Sequence, residues 1–158
     1  MICNKCGGYG CDLPDADPLT GVVPERTVCD KCHGHGDIPS IKGLLIDPSC
    51  RTISEVEIAI GDGCCLESMY EAMDCDYVDV CRGGLQFLPS APADDVWYDE
   101  AGLYSDCDDC FTIPGLVQLI GKGLILGFDD DGNSRNHTLT MEDVEELRSV
   151  IVWSKRQR

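Results

Sequence analysis

Gly123-Leu124-Ile125-Leu126-Gly127-Phe128 is the stretch on which the fold of this chain turns. It is an uncharged apolar run, too short for an ordinary helix and closed by the turn-forming Asp129-Asp130-Asp131-Gly132-Asn133. Such a run predicts a strand in the middle of a sheet. Upstream, Ile41-Lys42-Gly43-Leu44-Leu45-Ile46 predicts a second buried strand, stopped at Asp47-Pro48. From Arg51 to Ile60, Ile53, Val56, Ile58 and Ile60 interleave with Ser54, Glu55 and Glu57. The Ile53-to-Val56 step breaks strict alternation, so a bulge or an early strand start is expected. Gly61-Asp62-Gly63 is a turn signal. Cys64 to Met73 then places Leu66, Met69, Tyr70 and Met73 at helical spacing.

Tyr77 to Cys81 has strand character and ends at Gly83-Gly84. Val96-Trp97-Tyr98-Asp99 and Gly102-Leu103-Tyr104 bracket a predicted hairpin turn at Asp99 to Gly102. Ile113 to Ile120 is expected as a short helix after Thr112, with Pro114 in its first turn. The clearest helix comes last. Thr140 and Asp143 stand at capping-box spacing, and a helix from Met141 to about Trp153 should follow. Val144, Leu147, Val150 and Ile151 would form its apolar face, with Glu142, Glu145, Glu146 and Arg148 turned outward. Lys155-Arg156-Gln157-Arg158 reads as a solvated basic tail. The expected class for residues 41–158 is α+β, with mixed strands and a C-terminal helix.

The first forty residues have a different texture. They contain 6 glycines, 4 prolines and 5 cysteines, and no useful hydrophobic period. A segment so poor in core residues needs another source of folding free energy. It is supplied by a repeat: Cys3-Asn4-Lys5-Cys6-Gly7-Gly8-Tyr9-Gly10 is answered by Cys29-Asp30-Lys31-Cys32-His33-Gly34-His35-Gly36. Both copies read C-x-K-C-x-G-x-G. Cys3, Cys6, Cys29 and Cys32 are together the ligand set of a closed tetrahedral zinc site holding one structural ion. The glycines allow the chain to turn sharply and bring backbone amides to the thiolates. Lys5 and Lys31 offset part of the negative charge left by four thiolates on one zinc ion. Asp12 to Glu25, with Pro14, Pro18 and Pro24, is the connecting loop, and Ile38-Pro39-Ser40 is the expected hinge between a module at 1–40 and a domain at 41–158.

Twelve cysteines would suit a disulfide framework in a secreted chain. Paired C-x-x-C motifs without an export signal favour metal instead. Met1-Ile2 runs straight into the first knuckle, and no apolar run approaches a membrane span, so a soluble cytoplasmic protein is expected. The chain carries 12 basic and 29 acidic residues, a net charge of −17. Residues 1–40 account for −3 and residues 41–158 for −14. A field of that sign repels phosphate backbones and argues against direct nucleic-acid binding.

The repeat C-x-x-C-x-G-x-G at Cys3–Gly10 and Cys29–Gly36 resembles the cysteine-rich zinc module of DnaJ-type chaperones. That module usually carries four repeats and two zinc ions; the two repeats here suffice for one. In the chaperones the module helps engage unfolded polypeptide. The chain contains no His-Pro-Asp motif, so stimulation of a heat-shock ATPase is not implied. The larger part resembles a domain of unknown function common in phage and plasmid genomes, through Ile41–Pro48, Trp97-Tyr98-Asp99-Glu100-Ala101-Gly102-Leu103 and Gly121-Lys122-Gly123-Leu124-Ile125-Leu126-Gly127. That family places a polar asparagine segment where Cys107-Asp108-Asp109-Cys110 stands. The likeness implies a mobile-element accessory protein acting in a host cytoplasm.

The remaining candidates are weaker. Cys107 and Cys110 form another C-x-x-C, which Cys64, Cys65, Cys75 or Cys81 would have to complete as a second metal site. Their acidic neighbours Asp106, Asp108 and Asp109 disfavour a reactive thiolate. Gly127 to Thr138 fails as a calcium loop at its first and twelfth positions. His33 and His35 have Gly7 and Tyr9 as counterparts and are not expected as ligands, while His137 stands in a turn with no evident nucleophile. The expected function is non-catalytic: a zinc-binding protein that contacts another protein. The alternatives are an acidic nucleic-acid mimic that inhibits a DNA- or RNA-handling enzyme, and a chaperone-like or thiol–disulfide activity.

Overall fold

A computed structural model describes residue 2, residues 38–61 and residues 64–157. The chain divides into two units, residues 1–40 with 59–65, and residues 41–58 with 66–158. Among the described residues the second carries nearly all of the regular structure, and it is of mixed α and β type.

Strand β7 (Gly123–Phe128) lies inside the main sheet, as its apolar run demands. β1 (Ser40–Asp47) and β4 (Asp95–Asp99) flank it, with β2 (Thr52–Ala59) and β3 (Val78–Cys81) at the two edges, in the order β2-β1-β7-β4-β3. The short β8 (Ser134–Arg135) pairs with the end of β7. Leu44 and Val96 both stand opposite Ile125, so these three side chains line one face. On the other face Leu45 and Trp97 stand opposite Leu124. Both faces of β7 are covered, which is why Leu124, Ile125 and Leu126 are all fully buried.

Helix α2 (Met141–Val150) and a second sheet cover the Ile125 face. That sheet is β6-β5-β9, formed by β5 (Asp109–Thr112), β6 (Leu119–Ile120) and β9 (Val152–Lys155). Leu44, Ile46, Val96, Phe111, Ile113, Leu119, Val144, Leu147 and Ile151 make one continuous core with Ile125. The Phe111 ring lies so close over Gly123 that a Cβ there would sit 2.5 Å from its tip. The short α1 (Leu66–Met73) packs on β7 and buries Met69 and Met73. Leu66, expected on its apolar stripe, is exposed.

Three expectations are overturned. Residues 113–118 are not helical; they turn between β5 and β6. Pro114 and Gly115 follow Ile113, whose carbonyl accepts from Leu116 N–H at 3.0 Å, and Gly115 has φ +86°. Proline followed by a positive-φ glycine is turn chemistry, and it outweighs the helical spacing of the apolar residues. Gly102-Leu103-Tyr104 is a 3₁₀ turn, not the second strand of a hairpin, because β4 already pairs with β3 and β7 on its two sides. Finally, α2 stops at Val150 and Trp153 belongs to β9. The basic end is therefore tied down: Lys155 pairs with Asp109, and Arg156 donates to the carbonyls of Leu103 and Ser105.

Candidate functional site

Cys3, Cys6, Cys29 and Cys32 lie outside the described residues, as do the Asp12–Glu25 loop, His33 and His35, and Asp62 and Gly63 of the predicted turn. Among the described residues, no three His, Cys, Asp or Glu side chains are grouped so as to hold a metal ion. The structure thus does not gather Cys64, Cys65, Cys75 or Cys81 around Cys107 and Cys110. Cys50, Cys64, Cys75, Cys81, Cys107 and Cys110 are free thiols. Burial pushes Cys75 up to about 11, reinforced by the Asp99, Asp76 and Asp74 carboxylates despite a backbone bond at Tyr77. Burial likewise raises Cys81 and Cys110, with nearby Asp79 and Cys107 respectively adding to it. Such thiols are poor nucleophiles at neutral pH.

Two of the three acids buried among the described residues are staples of the fold. Asp143 Oδ1 accepts from Ser90 N–H at 2.9 Å, and its Oδ2 accepts from the Ser90 hydroxyl at 2.6 Å and from Thr140 N–H at 2.8 Å. The Thr140 hydroxyl returns a bond to the helix, accepting from Asp143 N–H, so the capping box expected from the sequence is present. Burial alone would raise the Asp143 carboxyl, but the donors of Ser90 and Thr140 outweigh it and hold the pKa down at about 2. Asp94 accepts from Thr138 N–H at 2.6 Å and from its hydroxyl at 2.7 Å. Asp95 is different. It is 4% exposed, and its Oδ1 has no hydrogen-bond partner. Burial raises its pKa, against the pull of Arg82 and the Gly83 N–H.

The loop 129–133 folds around the Asp129 carboxylate. Asp129 accepts from Asn133 and Arg135, which hold it down at about 2. His137 is fixed by its N–H donating to the Lys42 carbonyl, and its Nε2 stands 3.8 Å from Glu55.

Two surface features were not legible beforehand. The first is an acidic corner where β3 begins and β4 ends. Glu100 N–H bonds the Tyr77 carbonyl, and the 3₁₀ turn follows at once. Here Tyr77, Leu103 and Tyr104 are 62%, 64% and 91% exposed. Asp74, Asp76 and Asp99 act together on Cys75, and burial raises Asp99, with Asp76 adding to it against the Ala101 N–H. The second is an open cleft of about 300 Å³ lined by Arg51, Thr52, Ile53, Arg148 and Trp153. Sequence patterning had assigned Arg148 to a solvated helix face and Trp153 to a helix end, so nothing drew them together. No protein-family model, curated protein or solved structure matches this chain.

Proposed function

We propose that the chain is a non-catalytic zinc-binding protein that grips another protein through its acidic corner. Cys3, Cys6, Cys29 and Cys32 would hold one structural zinc ion, whose chemistry is to supply folding free energy to a segment with no core of its own. The observation that carries the binding function is the exposure of Tyr77, Leu103 and Tyr104 beside Asp74, Asp76, Asp99 and Glu100. Solvent-facing aromatic anchors with a charged rim are what protein interfaces use. The sign of the rim selects a partner surface rich in lysine and arginine. Where the mobile-element likeness holds, that partner is a host factor.

The test is a paired capture from host extract with quantitative mass spectrometry, using the wild-type chain and a Tyr77→Ala/Tyr104→Ala variant. A protein retained by the first and lost by the second is expected; identical capture profiles would contradict the proposal. The same acids also suit mimicry of a phosphate backbone. In that case the captured protein would be a nucleic-acid-handling enzyme, and duplex DNA would displace it.

A further inference from the structure

We propose that the cleft formed by Arg51, Thr52, Ile53, Arg148 and Trp153 binds a carboxylate carried on a flat apolar body. It stands independently of the acidic corner: Thr52 opens β2, while Tyr77 precedes β3, and these strands are opposite edges of the main sheet.

Charge defines the ligand. Arg51 is exposed and makes no hydrogen bond or ion pair among the described residues, in a chain with 29 acids. Arg148 is already committed, donating to Glu145 Oε1 at 2.7 Å and to the Ile53 carbonyl at 3.2 Å. The cleft therefore offers one uncompensated positive charge. A monoanion matches it; a phosphate dianion would leave excess negative charge inside a strongly negative field. Guanidinium groups bind carboxylates through paired N–H donors.

Shape defines the rest. Trp153 packs partly against the core and is half-buried, so its indole is held in place while its remaining surface lines the cleft. Ile53, also a core residue, adds an apolar wall. A volume of about 300 Å³ is at the lower end for small-molecule sites and suits one ring system. The backbone supplies an independent pointer. Arg51 has φ 55°, a left-handed conformation that glycine adopts freely and arginine does not. A long charged side chain kept at a strained position is characteristic of functional sites.

Such a carboxylate comes either from a free aromatic acid or from the C-terminus of a peptide ending in an aromatic residue. The experiment uses the full chain with Trp97→Phe, which leaves Trp153 as the only tryptophan. Its emission is followed on titration with 3-phenylpropanoate, 3-phenylpropanamide, a heptapeptide ending in free Phe, the same peptide amidated, and AMP. The expected result is saturable binding of an acid, at least about tenfold weaker binding of its amide, and a similar loss for the acid in Arg51→Gly. Glycine suits the local backbone, so that variant remains folded, as circular dichroism will show. Saturation by the free acid alone assigns a small-molecule ligand, and saturation by the peptide assigns a chain terminus. Equal binding of acid and amide, unchanged affinity in Arg51→Gly, tighter binding of AMP, or no response up to about 10 mM of any acid would overturn the proposal.

Discussion

Replacing Asp143 with alanine tests how the fold is pinned. This side chain is fully buried and is the common acceptor for Ser90 and Thr140, joining the loop after β3 to the start of α2. Loss of the helix cap alone costs about 1 kcal/mol. The Ser90 and Thr140 donors would then lack their acceptor, adding about 1–3 kcal/mol, so a total of about 2–4 kcal/mol is expected. That is a large part of the stability of an ordinary domain, about 5–15 kcal/mol. The assay is urea unfolding followed by tryptophan fluorescence, repeated from pH 7 to pH 2. The pH dependence has a definite sign. The Asp143 pKa falls from an ordinary 3.8 to about 2 on folding. Its ionised form thus contributes stability that is complete above the unfolded value and lost as pH drops through the folded one. The gap between wild type and Asp143→Ala should accordingly be widest above pH 5 and narrow toward pH 2. A variant within about 0.5 kcal/mol of wild type at pH 7, or a gap independent of pH, would refute the assignment.

Other consequences are equally direct. Gly123→Ala would push a methyl into the Phe111 ring, and a loss of about 1–3 kcal/mol in the same assay is expected. Asp95→Asn should raise the urea midpoint at pH 7, because a buried carboxylate with an unpartnered oxygen is replaced by a neutral group. The sign follows from its raised pKa: the penalty is present above the folded pKa and absent below the unfolded value, so the advantage should fade on acidification. An unchanged or lower midpoint at pH 7 would show that Asp95 is compensated. In alkylation mapped by mass spectrometry at neutral pH, exposed Cys50 should react well before Cys75 and buried Cys110; rapid labelling of Cys110 would revive a thiol–disulfide activity.

The α+β class, β1, β2, β3, β7 and the capped helix were readable because each rests on a local device. Examples are the unbroken apolar run at Leu124–Leu126, the stop at Asp47-Pro48, and the Thr140–Asp143 box. The failures came where a local signal had two readings. Leu116, Leu119 and Ile120 are spaced as on a helix, yet Gly115 at positive φ makes the segment a turn between strands. Trp153 continues the α2 pattern but leaves the helix to pair opposite Phe111, a long-range contact with no local signature. Phe111 and Trp153 pack into the common core from a second sheet that no periodicity announces. The Arg51–Arg148–Trp153 cleft was hidden for the same reason, since its walls come from residues far apart in the chain. The zinc ligands are the opposite case. Their proposal at Cys3, Cys6, Cys29 and Cys32 rests on spacing and ligand chemistry alone, at positions outside the described residues.

The measurement closest to the heart of the account is therefore the zinc content of the purified chain by native mass spectrometry, beside that of Cys29→Ser. One tightly held zinc per chain, lost in the variant, is the predicted outcome. A metal-free wild-type chain, or one whose four amino-terminal thiols are bonded in pairs, would contradict it.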